Sequence, residues 1–315
     1  MNFEISVIIP VYNAVRFLEK AIISAVEQEC VIQVVAVDDG SDDGSYELLI
    51  RLEKKYSKLT LLTHINRSNK GRSATRNLGI KHATANFVAF LDADDYYLKN
   101  RFDTDRNIFT RNSDCEGVYN AIGAQFFRST INTEISTLQL YTVKERIPSH
   151  SLFITIFKGG KGHFSIVGLT LDRRVFSKVG LFVDSFQVGE DTDLFFKLSL
   201  KCKLLPGELD VPVAIRGVHD KNVFDQKKLY DENSLNRLES LIFWSSQNDI
   251  DFGCIEEMLK RFWLIRFKKS SCLIDDLWIW AKMFFYNRRI LFSYLSLKYF
   301  PLIRKRRALF PFFFR

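Results

Sequence analysis

Several protein classes are excluded by what this sequence lacks. Its five cysteines (Cys30, Cys115, Cys202, Cys254 and Cys272) contain no CxxC pair, and an odd, scattered set builds neither a disulfide framework nor a zinc cage. A reducing cytosol is the expected location. The opening MNFEISVIIPVYN lacks a basic n-region and a small-residue cleavage site, so it reads as a strand rather than a signal peptide. Spanning a bilayer takes about 20 apolar residues, and Lys282, Arg288, Arg289 and Lys298 interrupt every such window near the C-terminus. There is no helix-turn-helix, zinc finger or aromatic platform for single strands, so no nucleic-acid partner is expected despite the basic tail. Near the start, SVIIPVYNAV offers no Gly- and Lys-rich loop of the kind a nucleotidyltransferase needs to hold a triphosphate.

Apolar residues, by contrast, are plentiful. With 315 residues, 47% of them hydrophobic and 14% aromatic, the chain can bury a sizeable core as one large domain plus an appendage, or as two domains. Charge is uneven. Met258–Arg315 holds 14 Lys/Arg against 2 Asp/Glu, so the formal net charge of +8 arises there and the first 257 residues carry −4. That asymmetry predicts a mildly acidic body with a cationic extension facing an anionic surface.

Strand and helix patterns alternate over the first hundred residues. ISVIIPVY (5–12) is a β-branched run; FLEKAIISAVEQ (17–28) sets Phe17, Ala21, Ile22 and Ala25 on one helical face. The run VIQVVAV stops at Asp38-Asp39-Gly40, and Leu48, Leu49, Leu52 and Tyr56 are spaced for a second helix. A strand at 59–63, a helix from Arg72 to about Ala85 and a strand at 87–91 complete the series. Such alternation implies an α/β fold with a mostly parallel sheet covered on both faces.

In open sheets of this kind the ligand crevice lies outside the carboxyl ends of the strands. Three strands end in polar residues: Pro10 to Asn13, Asp38 to Ser41, and Asp92, Asp94 and Asp95 in the run FVAFLDADDYY. Clustered carboxylates are costly to desolvate unless something positive joins them. A Mg²⁺ or Mn²⁺ ion shared with substrate phosphates fits oxygen ligands of this type. The bland alternatives are turn and cap chemistry for Asp38 and Asp42, a cap by Asp95 for a helix starting near Tyr96, and ordinary exposed cations at Lys70 and Arg72.

In this order and spacing, SVIIPVYN, VDDGSDDGS, NKGRSATRNLGI and FLDADD resemble the family 2 inverting glycosyltransferases, which have the GT-A nucleotide-sugar fold. The resemblance is close over residues 3–100, weaker over 160–220 and absent after about 225. It implies a GT-A catalytic domain at 1–225, a helical basic and aromatic extension at 226–315, and a nucleotide-sugar donor. By the same resemblance Pro10, Tyr12 and Asp39 hold the nucleoside, with the Asp39 carboxylate accepting the imide N–H of uracil or thymine. Asn69 and Arg76 line the nucleotide pocket, and Asp92 and Asp94 form the DxD pair that holds the metal, Asp94 as the more direct ligand. VGEDTDLFFKLSL (188–200) matches the acidic start of the acceptor-side helix: Asp191 is the expected base and Glu190 its support. Arg216 and His219 match an arginine that closes over the diphosphate and a histidine that completes the metal shell. The glycines of KGGKGHFSIVG (158–168) suit a loop that moves over bound donor.

Inversion by single displacement needs one carboxylate opposite the leaving diphosphate to deprotonate the acceptor hydroxyl, and a metal to take up the charge on the departing group. The expected acceptor is a glycan or a lipid-linked sugar, the latter if the tail binds membrane. His64, His82, His150 and His163 are expected to be ordinary surface or core residues. Interleaved aromatics and cations in 272–315, with RKRR (304–307) and FPFFFR (310–315), suit either an interfacial anchor on an anionic leaflet or a small helical subdomain with its cations on the wet face. The alternatives are a nucleotide-sugar-binding protein without catalysis, which would keep Asp39 and the DxD but lack a base, and a nucleic-acid-binding protein that uses the basic tail.

Overall fold

A computed structural model describes residues 2–220, 222, 227–268, 272–285, 287–306 and 312. Arg307 and all of the terminal FPFFFR except Phe312 lie outside the described residues. The chain forms two compact units, Met1–Asp225 and Gln226–Arg315.

The first unit opens with β1 (Ile5–Val11), α1 (Val15–Val26), β2 (Val31–Asp38), α2 (Ser45–Lys55), β3 (Leu59–Thr63), α3 (Arg72–His82) and β4 (Phe87–Phe90). β1 and the apolar body of β2 are buried, as expected for strands covered on both faces. α1 turns Leu18, Ala21, Ile22 and Ala25 into the core and leaves Phe17 half-buried. The chain then runs through β5 (Tyr96–Tyr97), α4 (Asp103–Arg111), β6 (Gly117–Tyr119), β7 (Gly123–Phe126), α5 (Asn132–Leu138), α6 (Ser149–Lys158), β8 (Leu169–Asp172), α7 (Val175–Val179), α8 (Glu190–Lys201), β9 (Leu204–Pro206) and β10 (Ala214–Val218).

Seven strands form one sheet in the order β3-β2-β1-β4-β8-β6-β9. Only β8 runs against its neighbours β4 and β6, so the sheet is mostly parallel as expected. Val11 is level with Asp38, and Ile8 with Phe90. The carboxyl ends of β1, β2 and β4 therefore open on one edge. Strand order reverses beside β1, with β2 and β3 on one side and β4 on the other, which makes this edge the crevice of the fold.

One expectation fails just beyond β4. No helix starts near Tyr96; Tyr96 and Tyr97 form β5, which joins β10 and β7 in a second sheet ordered β5-β10-β7. The short sheet brings residues 94–97 against 214–219. Gly217 permits the approach, because a Cβ there would lie 2.3 Å from the carbonyl oxygen of Asp94.

The second unit is helical: α9 (Lys227–Gln247), α10 (Phe252–Lys268), α11 (Leu273–Phe285), α12 (Arg288–Leu291), α13 (Tyr294–Lys298) and α14 (Pro301–Arg304). Met258, Phe262, Trp263, Phe284, Leu295 and Tyr299 form its core. Several of its cations are ion-paired within the unit, including Lys282 with Glu239, Lys298 with Glu256 and Arg266 with Asp276. Among the described residues no helix is long and apolar enough to cross a membrane. The five cysteines are unpaired.

Candidate active site

The turn after β2 is built by its own carboxylates. Asp38, fully buried, accepts from the backbone N–H groups of Gly40 (3.2 Å) and Ser41 (3.3 Å) and closes the turn. Gly40 has φ +79°, and a Cβ there would lie 2.5 Å from the Arg67 carbonyl oxygen. Asp39 faces the other way: its carboxylate accepts from the N–H groups of Lys70 (2.7 Å) and Gly71 (2.9 Å), while its own N–H donates to Val11 O (2.8 Å). Each carboxylate oxygen keeps a further lone pair. Asp39 thus locks the loop 69–71 to the ends of β1 and β2. Asn69 is exposed and its Oδ1 accepts from Gly71 N (3.2 Å). Tyr12 is 55% exposed at the end of β1, one residue after Val11, and Pro10 is half-buried within that strand.

His64 belongs to this cluster, contrary to its reading as an ordinary residue. Its Nε2 lies 3.2 Å from Thr75 Oγ1 and 3.6 Å from Asp39 Oδ1. Because the Thr75 hydroxyl donates to Gly71 O (2.9 Å), it accepts from the imidazole, which puts the proton on Nε2. A local pattern in the sequence carries no trace of this contact.

α3 leads from that loop to the centre of the site. Arg76, 2% exposed, donates through Nη2 to Asp92 Oδ1 (2.7 Å) and through Nη1 to Glu190 Oε1 (3.0 Å). One buried guanidinium therefore joins the DxD run to the start of α8. Burial opposes the Arg76 charge, but Asp92 and Glu190 raise its pKa further. Burial would likewise lift the Asp92 carboxyl, yet Arg76, with Arg72 and Arg216, holds it below its ordinary value. Glu190 goes the other way: burial and its neighbour Asp191 push it up despite Arg76 and Arg72. Arg72 is no free surface cation, since its Nε lies 3.0 Å from Glu190 Oε1.

Each acidic pair thus has one member engaged by Arg76 and one left over. Asp94 Oδ2 lies 2.9 Å from His219 Nε2 and accepts from Asn222 Nδ2 (3.1 Å); the His219 ring stacks on Phe17 at 5.1 Å. Asp95 is buried and accepts from Gly217 N (2.9 Å), so it fastens β10 rather than capping a helix. Burial, Asp94 and Asp92 raise its pKa well above the ordinary value. Among the described residues no group of three His, Cys, Asp or Glu side chains converges as a metal cage. Asp94 Oδ2 and His219 Nε2 bond to each other at 2.9 Å, and an oxygen and an imidazole nitrogen are donor types that suit a divalent cation.

Asp191 is the other remaining acid. It is half-buried in the first turn of α8, holds Thr192 N at 2.7 Å, and makes no ion pair within 4 Å among the described residues. His163 packs on the same helix against Phe195, one turn after Asp191, with ring centres 5.4 Å apart. Its Nδ1 donates to Phe164 O (3.2 Å) while its buried Nε2 has no partner. Arg216, on β10, donates to Ser165 Oγ (3.2 Å) and lies 5.4 Å from the Tyr141 ring centre. Arg216 thus touches both Ser165 and Tyr141, and Gly159, Gly160 and Gly162, just before His163 in the chain, all have φ near +80°.

Residues 6–106 match the family model described as glycosyl transferase family 2. That match covers about a third of the chain, and over it the chain is similar to glycosyltransferase family 2; the first unit has the GT-A fold. It is 33% identical over 109 residues to an uncharacterised glycosyltransferase of Haemophilus influenzae, covering 34% of this chain and 43% of the relative. It is 28% identical over 214 residues to the minor teichoic acid biosynthesis protein GgaA of Bacillus subtilis, covering 63% and 44%. The matches thus span less than half the length of either relative. Residues 1–349 of S. aureus TarS, solved with UDP-GlcNAc, superpose with a TM-score of 0.64 at 15% identity, covering 97% of this chain and 92% of that one.

Proposed function

We propose that residues 1–225 transfer a sugar from a UDP-sugar to a hydroxyl of a glycan or lipid-linked acceptor in the cytoplasm, by single displacement with inversion. The observation that carries this reading is the division of labour around Arg76, which engages Asp92 and Glu190 and leaves Asp94 and Asp191 for chemistry. The likeness to a protein solved with UDP-GlcNAc favours a UDP-N-acetylhexosamine donor, and the likeness to a teichoic acid biosynthesis protein favours a surface polymer as product.

The nucleoside lies over the ends of β1 and β2, with Tyr12 stacking on the base, Asp39 accepting its imide N–H, and Pro10 and Asn69 lining the pocket. Asp94 and His219 are the residues that would hold Mn²⁺ or Mg²⁺. When bound, the ion stabilises the charge that grows on the departing diphosphate. Arg216 sits on the same side and adds positive charge there. Asp191 accepts the proton of the acceptor hydroxyl as that oxygen attacks the anomeric carbon and the bond to the diphosphate breaks. Glu190 and Arg76 keep the first turn of α8 in register with the DxD run.

Release of UDP from UDP-GlcNAc, UDP-glucose and UDP-galactose with Mn²⁺ tests the reading. The expected result is release from one of these donors that is lost in Asp191→Asn while UDP binding is kept. UDP binding without release from any donor would favour a nucleotide-sugar-binding protein without catalysis.

A further inference from the structure

We propose that the second unit docks on an anionic lipid surface through one exposed apolar stripe of α11. Only Asp275, Asp276 and Lys282 carry charge in this 13-residue helix, and a helix apolar nearly all round belongs in an interior. Yet only one side of it is covered. Asp276, Met283 and Phe284 are buried, whereas Ile274, Trp278 and Phe285 are 77%, 65% and 64% exposed. At 3.6 residues per turn these three fall within about 40° of one another, opposite Asp276 and Met283. The roll of the helix is fixed by buried charge: Asp276 is held by Arg266 Nε at 2.6 Å and Lys305 Nζ at 2.5 Å. Rotating the stripe inward would break both pairs.

Charge and size select the occupant. Residues 226–315 hold 17 Lys/Arg against 9 Asp/Glu, whereas residues 1–225 hold 28 of each, so the entire net charge belongs to the unit that carries the stripe. Arg288, three residues beyond Phe285, is exposed. An aromatic side chain buries about 150–250 Å², so the three exposed groups offer about 400 Å² in total, half of the ~800 Å² per partner that a stable protein interface uses. A second copy of the chain is therefore a poor match. A narrow row of Ile, Trp and Phe on a cationic unit fits the headgroup boundary, into which a helix sinks about 5–10 Å.

The inference does not depend on the transfer reaction. Its test is co-sedimentation of the intact chain with vesicles of phosphatidylcholine and phosphatidylglycerol (70:30) or of phosphatidylcholine alone. The comparison chain is Trp278→Glu/Phe285→Glu, which alters surface positions and leaves the Asp276 pairs intact. The intact chain is expected to pellet with the anionic vesicles, with partitioning at least tenfold weaker for the double variant and on neutral vesicles. If the double variant unfolds, Ile274→Gln carries the same comparison with an expected loss of threefold or more. No pelleting, equal pelleting by a folded variant, or equal binding to neutral vesicles would overturn the proposal. So would a stable dimer in lipid-free solution that the same substitutions split.

Discussion

Arg76 and Arg101 are both buried, 2% and 1% exposed, but their surroundings differ in kind. Around Arg101 the network is closed. Nε donates to Val167 O (3.2 Å), Nη1 to Asp105 Oδ2 (2.9 Å) and Nη2 to Leu169 O (3.1 Å). Asp105, itself fully buried, also accepts from Thr170 Oγ1 (2.6 Å) and Asn120 Nδ2 (2.9 Å). Around Arg76 the network is open: Nε has no partner, the Asp92 side chain is 33% exposed, and both acid partners stand beside a second acid that Arg76 does not bond. A buried guanidinium with every direction satisfied holds the fold. One that engages half of two acidic pairs sets up a site.

The comparison can be sharpened first at the unengaged acid. Asp191→Asn is expected to lower UDP release by about 10²- to 10⁴-fold, the usual contribution of a general base, with UDP binding and unfolding temperature unchanged. A loss of stability comparable to the loss of rate would make Asp191 structural. Next, Asp105→Ala strands the Arg101 charge, and urea unfolding should show a loss of about 3–5 kcal/mol, as for a broken buried pair. A loss below about 1 kcal/mol would mean that water reaches the Arg101 network after all.

Smaller effects probe the open side. A lysine cannot span two carboxylates as a guanidinium fork does, so Arg76→Lys should cost about 1–3 kcal/mol of stability by losing one of two charge-assisted hydrogen bonds and should weaken UDP binding. Unchanged binding would separate Arg76 from the donor site. The smallest effect concerns His163, whose pKa burial lowers. A depressed histidine contributes stability above its unfolded pKa of about 6.5, and this is lost as pH falls toward the folded value, by at most about 1.4 kcal/mol per pH unit. Thermal unfolding of His163→Gln should lose less stability than the native chain between pH 7 and pH 5; an identical slope would show that His163 is charged or exposed.

The parallel half of the sheet and the acidic motifs were legible because both are local. Strand ends, turn residues and helix starts follow from patterns a few residues long, and β3 spans the residues expected of it. Partners across the chain were not legible. Arg72 meets Glu190 across 118 positions, and His64 meets Asp39 across α2 and β3. Tyr96 reads as a helix start beside Asp95 but pairs with Ile215 instead, because tertiary pairing overrides a short local signal. In the second unit the absence of a membrane-spanning run was readable, but which face of α11 stays bare depends on the burial of Asp276 by Arg266 and Lys305.

The most direct test of the central claim compares Asp94→Asn with Asp92→Asn by thermal unfolding, with and without UDP and Mn²⁺. A ligand at about 100 times its dissociation constant adds about 2.7 kcal/mol to the native state. The account predicts that Asp94→Asn unfolds at the native temperature without ligand and loses the Mn²⁺-dependent UDP shift. Asp92→Asn, which weakens the bond to Arg76, should unfold at a lower temperature even without ligand. A full Mn²⁺-dependent UDP shift in Asp94→Asn would contradict the division of labour around Arg76.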